Sequence, residues 1–184
     1  MPEIEIRPAI TADIHQLVAL EHSYTSDYVW QIDIDAENGV GARPQVQVFF
    51  REIRLPRSVR VEYPRKSQIL TDDWQQRAGL LVAVYEGEAV GYVSLNINIA
   101  PATAWINDLV VKRRLRRQGI GTALVMATQN WAGAHACRRV VLEMQSKNYP
   151  AIRLAKKLGF DFCGYNEWYF SNHDIALFFT KVVG

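Results

Sequence analysis

Cysteine is scarce in this chain of 184 residues: Cys137 and Cys163 have no CxxC spacing, so neither a disulfide framework nor a zinc knuckle organises the fold. Both lie in apolar stretches, which predicts small buried hydrophobes. His15, His22, His135 and His173 are scattered without metal-ligand spacing, although the first two could share a helix face, and no metal is expected. No apolar run approaches the roughly 18–20 residues that cross a bilayer, and the chain opens on polar "MPEIEIRP" rather than a signal peptide. A cytoplasmic protein with no membrane partner is the expectation. A large excess of one charge is also missing, since 21 Lys and Arg face 19 Asp and Glu. The basic run "KRRLRR" at 112–117 is short and has no base-stacking motif beside it, which argues against nucleic acid. Neither the GK[ST] of a Walker loop nor an early GxGxxG occurs.

What is present is a hydrophobic content of 49%, enough for one substantial core in a chain of this length. A single domain over 1–184 is expected. Residues 3–8 alternate as a half-buried strand would, and Thr11 offers an N-cap with Asp13 in the first turn, predicting a helix to about Glu21. From about Tyr24 to residue 70 the pattern loosens. Asp27, Tyr28, Trp30, Asp33, Asp35 and Glu37 gather there before a strand-like "VQVFFREIRL", and the stretch reads as a long, partly irregular excursion of the sort that forms lids or binding walls. From Leu80 onward "LLVAVY", "EGE" and "AVGYVSLNINI" predict a hairpin with a turn at Gly87 and a bulge near Gly91. "ATAWINDLVV" is a strand, residues 112–117 a polar connection, 120–132 a helix, and "RRVVLEMQ" a strand. "YPAIRLAKKLGF" is a helix stopped by Gly159, and "FDFCGYNEWYF" and "DIALFFTKVV" are two strands joined across "SNH".

"RRQGIG" at 116–121 stands where a strand feeds a helix, yet each glycine in a helical segment costs roughly 0.5–1 kcal/mol relative to alanine. A ligand explains the choice. Unpaired N–H groups at a helix N-terminus carry the positive end of the helix dipole, and without a Cβ at Gly119 and Gly121 an anionic phosphate could reach the main chain. Arg116 and Arg117 add charge. Packing alone also produces glycine-containing turns, so GxG by itself leaves both readings open.

The hexapeptide Arg116-Arg117-Gln118-Gly119-Ile120-Gly121 resembles the Q/R-x-x-G-x-G/A signature of the GNAT superfamily of acetyl-CoA-dependent N-acetyltransferases. "NYPAIRLAKKLGF" at 148–160 resembles that superfamily's N-x-x-A-x-x-L-Y-x-k-x-G-F segment, and "IRPAITADIHQLVALE" its first strand and helix. The likeness covers about Ile4 to Glu21 and then Leu80 onward. Within the superfamily, "ATAWINDLVV…RRQGIG", "VVLEMQSKNYPA" and "GFDFCGYN…DIALFFTKV" are most similar to the streptothricin acetyltransferase branch.

The resemblance implies an α/β fold with a central mixed, mostly antiparallel sheet flanked by helices and splayed between its fourth and fifth strands. It also implies transfer of acetyl from acetyl-CoA, the cosubstrate, to a primary amine by direct attack. The acceptor it suggests is a small cationic amine such as a streptothricin-like antibiotic; a protein or peptide N-acetyltransferase and an idle acyl-CoA-binding module are the alternatives. A homodimer is compatible with this reading. Main-chain groups of Leu109, Val110 and Val111 would hold the pantetheine arm like an added strand, with an N–H near Val111 polarising the acyl carbonyl. The amides from Arg117 through Gln118, Gly119, Ile120 and Gly121 to Thr122 would hold the pyrophosphate, and Asn148 would contact pantetheine. Lys112, Arg113 and Arg114 would either face the 3′-phosphate or form a solvated basic loop. Asp108 and Glu143, carboxylates set in apolar strands, are the candidate bases; each must reach a partner or the cleft, and an ion pair would serve Glu143 equally well. Two positions depart from the pattern. Asn107 stands where the streptothricin branch often has an acid, and Ala155 where the superfamily commonly has the tyrosine that protonates the thiolate. Tyr149, Tyr165 or Tyr169 could substitute, or the thiolate could leave with a proton from water. The acidic and aromatic residues from Asp27 to Asp35 would either stack on a cationic acceptor or form a solvated loop.

Overall fold

The computed structural model describes residues 3–37 and 45–184. In chain order the elements are β1 (Glu5–Pro8), α1 (Thr11–Val18), β2 (Tyr24–Glu37), β3 (Gln45–Val61), α2 (Ile69–Asp73), β4 (Gly79–Tyr85), β5 (Glu88–Asn96), β6 (Thr103–Val111), α3 (Ile120–Ala134), β7 (Arg139–Gln145), α4 (Tyr149–Lys157), β8 (Asp161–Asn166) and β9 (Ala176–Val182). Seven strands form one sheet in the order β1-β4-β5-β6-β7-β9-β8, and β2 and β3 pair separately. Every neighbour in the large sheet runs antiparallel except β6 and β7. That parallel pair occupies the fourth and fifth places.

Two apolar layers flank the sheet. Leu95, Ile106, Leu142 and Leu177 pack under α3 and α4 through Leu124, Val125 and Ile152, while Leu80, Val82, Tyr92 and Val110 meet α1 and α2 on the opposite face through Leu17 and Leu70. The fully buried Leu17, Leu124 and Ile152 explain why these helices keep their 3.6-residue apolar spacing. Removing one such side chain to alanine typically costs about 2–5 kcal/mol.

Three expectations are corrected. The excursion is not irregular: β2 and β3 make a long antiparallel hairpin with paired residues from Tyr24↔Val61 to Glu37↔Gln45 and one register shift near Ser26. Trp30, Ile32 and Ile34 alternate with Gln31 and Asp33, the period of two that such a ribbon requires. Helix α1 ends at Val18 rather than near Glu21 and is capped from Asp13, not Thr11. The Asp13 carboxylate accepts the Ile10 N–H at 2.8 Å and a two-pronged ion pair from Arg7 at 2.6 and 2.9 Å, so Ile10 becomes the cap and Thr11 the first helical residue. Cys137 is buried as expected, but Cys163 is exposed on the edge strand β8. No helix among the described residues is long and apolar enough to cross a membrane.

Candidate active site

The central feature is a fork. β6 and β7 pair only from Thr103↔Arg139 to Ile106↔Leu142, although both continue: β6 stays paired with β5 to Val111, and β7 with β9 to Gln145. Each strand keeps its outer partner and loses its inner one. A bulge in β6 marks the point of separation, where Ser94 faces Asp108 and Leu95 faces Ile106, leaving Asn107 as the extra residue. A bulge bends its strand and shifts the side-chain alternation by one place. Accordingly Ile106, Leu109 and Val111 pack with the layer under α3 and α4, whereas Val110 joins the opposite layer. The fork is lined by Asn107 and Leu109 of β6, Glu143 and Met144 of β7, Asn148 and Ala151 of α4, and Tyr63, Arg65 and Phe170 from loops.

At the α3 end, the main chain from Arg117 to Gly119 is folded for exposure of its amides. Arg117 has φ 67° and Gly119 has φ 91°, so both take the left-handed region that disfavours a Cβ. Gly119 occupies the cap position of α3 without a side-chain cap. Among the described residues, the N–H groups of Arg117, Gln118, Gly119, Ile120, Gly121 and Thr122 have no protein acceptor; the first helical bond seen at this end is from Ala123 to the Gly119 carbonyl, 3.0 Å. Six consecutive donors at a positive helix end suit a diphosphate. Packing does not require Gly121, because a Cβ there would meet Leu154 Cδ2 at an ordinary 3.5 Å. Asn148 caps α4 by accepting the Ala151 N–H at 3.2 Å, which leaves its NH2 for a ligand in the fork.

The basic residues around this loop divide. The guanidinium of Arg116, expected to face phosphate, is instead engaged by main-chain carbonyls: Val111 at 2.8 Å, Ser23 at 2.7 Å, and Glu21. It braces the end of β6 against the segment joining α1 to β2. Lys112 bonds Glu88 at 2.7 Å, with Arg114 at 3.6 Å from the same carboxylate. Arg113 and Arg117 make no salt bridge among the described residues and remain as open charge.

Elsewhere in the fork the polar groups are side chains, and they bond one another. Glu143 has no exposed side-chain surface and accepts from Arg65, Trp105 Nε1, Asn107 Nδ2 at 3.2 Å and Tyr169 Oη at 2.6 Å. Asp108 accepts from Tyr63 Oη at 2.9 Å and Arg77 Nη1 at 2.8 Å, with Arg65 at 3.7 Å; Arg77 also binds Asp73 at 3.0 Å. A general base needs a lone pair aimed at the proton it removes; Glu143 already accepts from four donors and Asp108 from two, each inside an ion pair, so neither stands as a free carboxylate in this arrangement. The structure therefore places Asp108 and Glu143 as hubs of an ion-pair network. The carboxylates of Asp108 and Glu143 face the guanidinium groups of Arg65 and Arg77, Asp73 pairs with Arg77 from outside and Lys66 stands beside Arg65, so the charges on this side balance. Burial and the neighbouring Asp108 hold the Tyr63 phenol well above its ordinary pKa, and burial and Glu143 do the same to Tyr169, so both stay protonated.

The other tyrosines are structural. Tyr149 stacks on Tyr28 at 4.5 Å and bonds Glu52 at 2.9 Å, and Tyr165 packs against Phe50. Ala155 is wholly buried in the core, so no hydroxyl comes from that position. Of the acidic residues in the hairpin, Asp33 pairs with Arg51 and Asp27 with Ser58, away from the fork, and Trp30 packs among Phe50, Phe162 and Phe179. The side chains of Asp35 and Glu37 lie outside the described residues. The hairpin nonetheless bears on the site. Tyr24 Oη donates to the buried Gln145 side chain at 2.8 Å, and the Trp30 N–H bonds the Ser146 carbonyl at 3.0 Å, fastening β2 over the end of β7. Tyr63, Arg65, Arg77 and Tyr24 are the site residues that sequence reasoning missed; only the presence of two lone carboxylates in apolar strands signalled that cations had to come from somewhere.

Comparison with known proteins fits this geometry. The acetyltransferase (GNAT) family model matches residues 48–160, more than half of the chain, and the protein belongs to that family of N-acetyltransferases. It is 30% identical over 132 residues to the streptothricin acetyltransferase of Escherichia coli, covering 71% of this chain and 75% of that one. Among solved structures, nourseothricin acetyltransferase superposes with a TM-score of 0.80 at 20% identity over 98% of this chain and 99% of that one. A Bacillus anthracis chain assigned as a streptothricin acetyltransferase, in complex with acetyl coenzyme A, gives 0.76 at 17% identity over 99% of both. These two likenesses establish the open, forked sheet as the fold of the family.

Proposed function

We propose that the protein transfers acetyl from acetyl-CoA to a primary amine of a small cationic acceptor, by direct attack in a ternary complex and without a covalent enzyme intermediate. The observation that carries this reading is the fork with six unpaired amides at its α3 end. The amides of 117–122 would hold the diphosphate, and the unpaired edges of Leu109, Val110 and Val111 would take the pantetheine arm as an added strand, with the Asn148 NH2 beside it. Acetyl-CoA supplies the activated acyl group; a β6 main-chain N–H near Val111 polarises its carbonyl.

The acceptor enters from the face carrying Tyr63, Arg65 and Phe170. The hairpin fastened over β7 narrows the approach, which supports a compact amine over a folded protein. With Asp108 and Glu143 engaged in ion pairs, the ammonium loses its proton to solvent at the mouth of the fork, and the departing thiolate gains one there. Similarity to a streptothricin acetyltransferase supports an acceptor of that kind. Thiol release measured with acetyl-CoA and a panel of streptothricin-like antibiotics, aminoglycosides, polyamines, amino acids and N-terminal peptides tests the reading. Turnover on a small polycationic amine is expected; turnover confined to peptides, or none at all despite CoA binding, would overturn it.

A further inference from the structure

Arg65 lies in the segment between β3 and α2, far in sequence from both strands of the fork, yet it contacts both at the point where they part. The last paired residues are Ile106 and Leu142. The next residue on each strand is Asn107 and Glu143, and one guanidinium holds both: Nη1 donates to the Asn107 carbonyl at 3.0 Å and Nη2 to the Glu143 carboxylate. The same group stands 3.7 Å from Asp108 and packs over the Phe170 ring at 5.3 Å.

The Asn107 carbonyl explains why such a group is needed. As the extra residue of the bulge, Asn107 has no paired residue on β5, and beyond Ile106 the fork removes the partner on β7. A part-buried carbonyl left without a protein donor forgoes a hydrogen bond worth about 0.5–1.5 kcal/mol, and nothing else among the described residues would hold it in one orientation. Arg65 satisfies that carbonyl without closing the fork. In doing so it fixes the bulge that turns Leu109 toward one layer and Val110 toward the other. We propose that Arg65 is a positioning residue for acetyl transfer: its guanidinium forms a side-chain rung across the fork, locking the β6 bulge at Asn107 so that the main chain from Leu109 to Val111 presents its N–H groups at a set angle to the thioester. A planar, forked donor does this and a single ammonium does not, because the carbonyl and the carboxylate lie on different strands.

The inference rests on the acetyl-transfer reading, and its test separates the two. In Arg65→Ala, assayed in the full-length protein well below its melting temperature, kcat should fall ten- to a hundredfold while the calorimetric Kd for CoA stays within twofold, since the 117–122 amides are untouched. Arg65→Lys, which keeps charge and burial, should recover less than a tenth of the lost rate; methylguanidinium at millimolar concentration should restore part of it in Arg65→Ala. Independently of turnover, amide hydrogen exchange in 107–111 should quicken at least tenfold in Arg65→Ala while that of β4 does not change. A purely structural cation predicts the opposite: full kcat per folded molecule, full recovery by lysine, and unaltered exchange in 107–111. Any of these overturns the proposal. A wild-type protein without turnover would instead sink the functional reading, while the exchange experiment would still decide whether Arg65 holds the bulge.

Discussion

The two ends of the fork are made of different materials. At the α3 end the polar groups are main-chain amides, left open, presented by two residues at positive φ and a glycine that packing does not require. At the acceptor end they are side chains, Arg65, Tyr63, Asp108 and Glu143, nearly all of them satisfied by one another. A main-chain site tolerates almost any side chain and suits a cosubstrate shared across a family. A side-chain network drawn from distant segments can change without disturbing those amides, and that is where the choice of acceptor is expected to reside.

The sharpest way to break this contrast is to remove a charge from the network. Asp108→Asn leaves Arg77 facing a neutral amide in a buried setting and should destabilise the fold by about 3 kcal/mol, read by chemical denaturation, with CoA affinity unchanged per folded molecule. In that variant and in Glu143→Gln the acidic limb of the pH–rate profile should persist, because the ionisation belongs to the acceptor amine. If either substitution abolished that limb, the carboxylate would be a base after all.

On the main-chain side, Gly121→Val should leave the fold largely in place while raising the Kd for CoA roughly a hundredfold, about 2.7 kcal/mol. Gly121→Ala is the finer probe. It should raise helix stability by up to about 1 kcal/mol and still weaken CoA, so a variant that is both more stable and equally tight would remove the reason for a glycine there.

How much of this was legible in the sequence follows the same divide. Gly119 and Gly121 stand out in the sequence because glycine is a local signal: its conformational range and missing side chain act where it stands. Ala155 likewise announced that no tyrosine would serve there. The acceptor end is built by contacts such as Arg65 with Glu143, 78 positions apart, and Arg77 with Asp108, 31 apart, which no local pattern contains. Glu143 could be recognised as a buried carboxylate in need of a partner, but not which of the 21 cations would supply it. Arg116 shows the converse, a residue inside the motif whose side chain serves the main chain around it. The hairpin was misread because Gln31 and Asp33 between Trp30, Ile32 and Ile34, with Asp27 and Asp35 around them, looked like a solvated loop, although polar and apolar alternation is also how a ribbon with one covered face is written.

Smaller effects refine the comparison. Tyr24→Phe removes the donor to the buried Gln145 side chain and should cost about 1–2 kcal/mol, loosening the hairpin over the acceptor mouth and raising KM for the amine more than for acetyl-CoA. The smallest is a pH effect. Burial holds His22 below its ordinary value of 6.5, against the Leu20 carbonyl and Asp108, and its Nε2 accepts from Tyr92 Oη at 2.9 Å in the neutral form. The unfolded chain therefore binds the proton first. Stability is fully present above about 6.5 and is lost as pH falls below that value toward the depressed folded pKa, a limb that His22→Gln should flatten. The Arg7 pair holds Asp13 below 3.8, so its contribution is lost only at more acid pH.

The most direct measurement is a crystal structure with acetyl-CoA bound. The expected result has the diphosphate within hydrogen-bonding distance of the 117–122 amides and the pantetheine arm between β6 and β7 as an added strand, ending beside Val111. Diphosphate held by side chains elsewhere, or strands β6 and β7 closed on one another past Ile106 and Leu142, would contradict it.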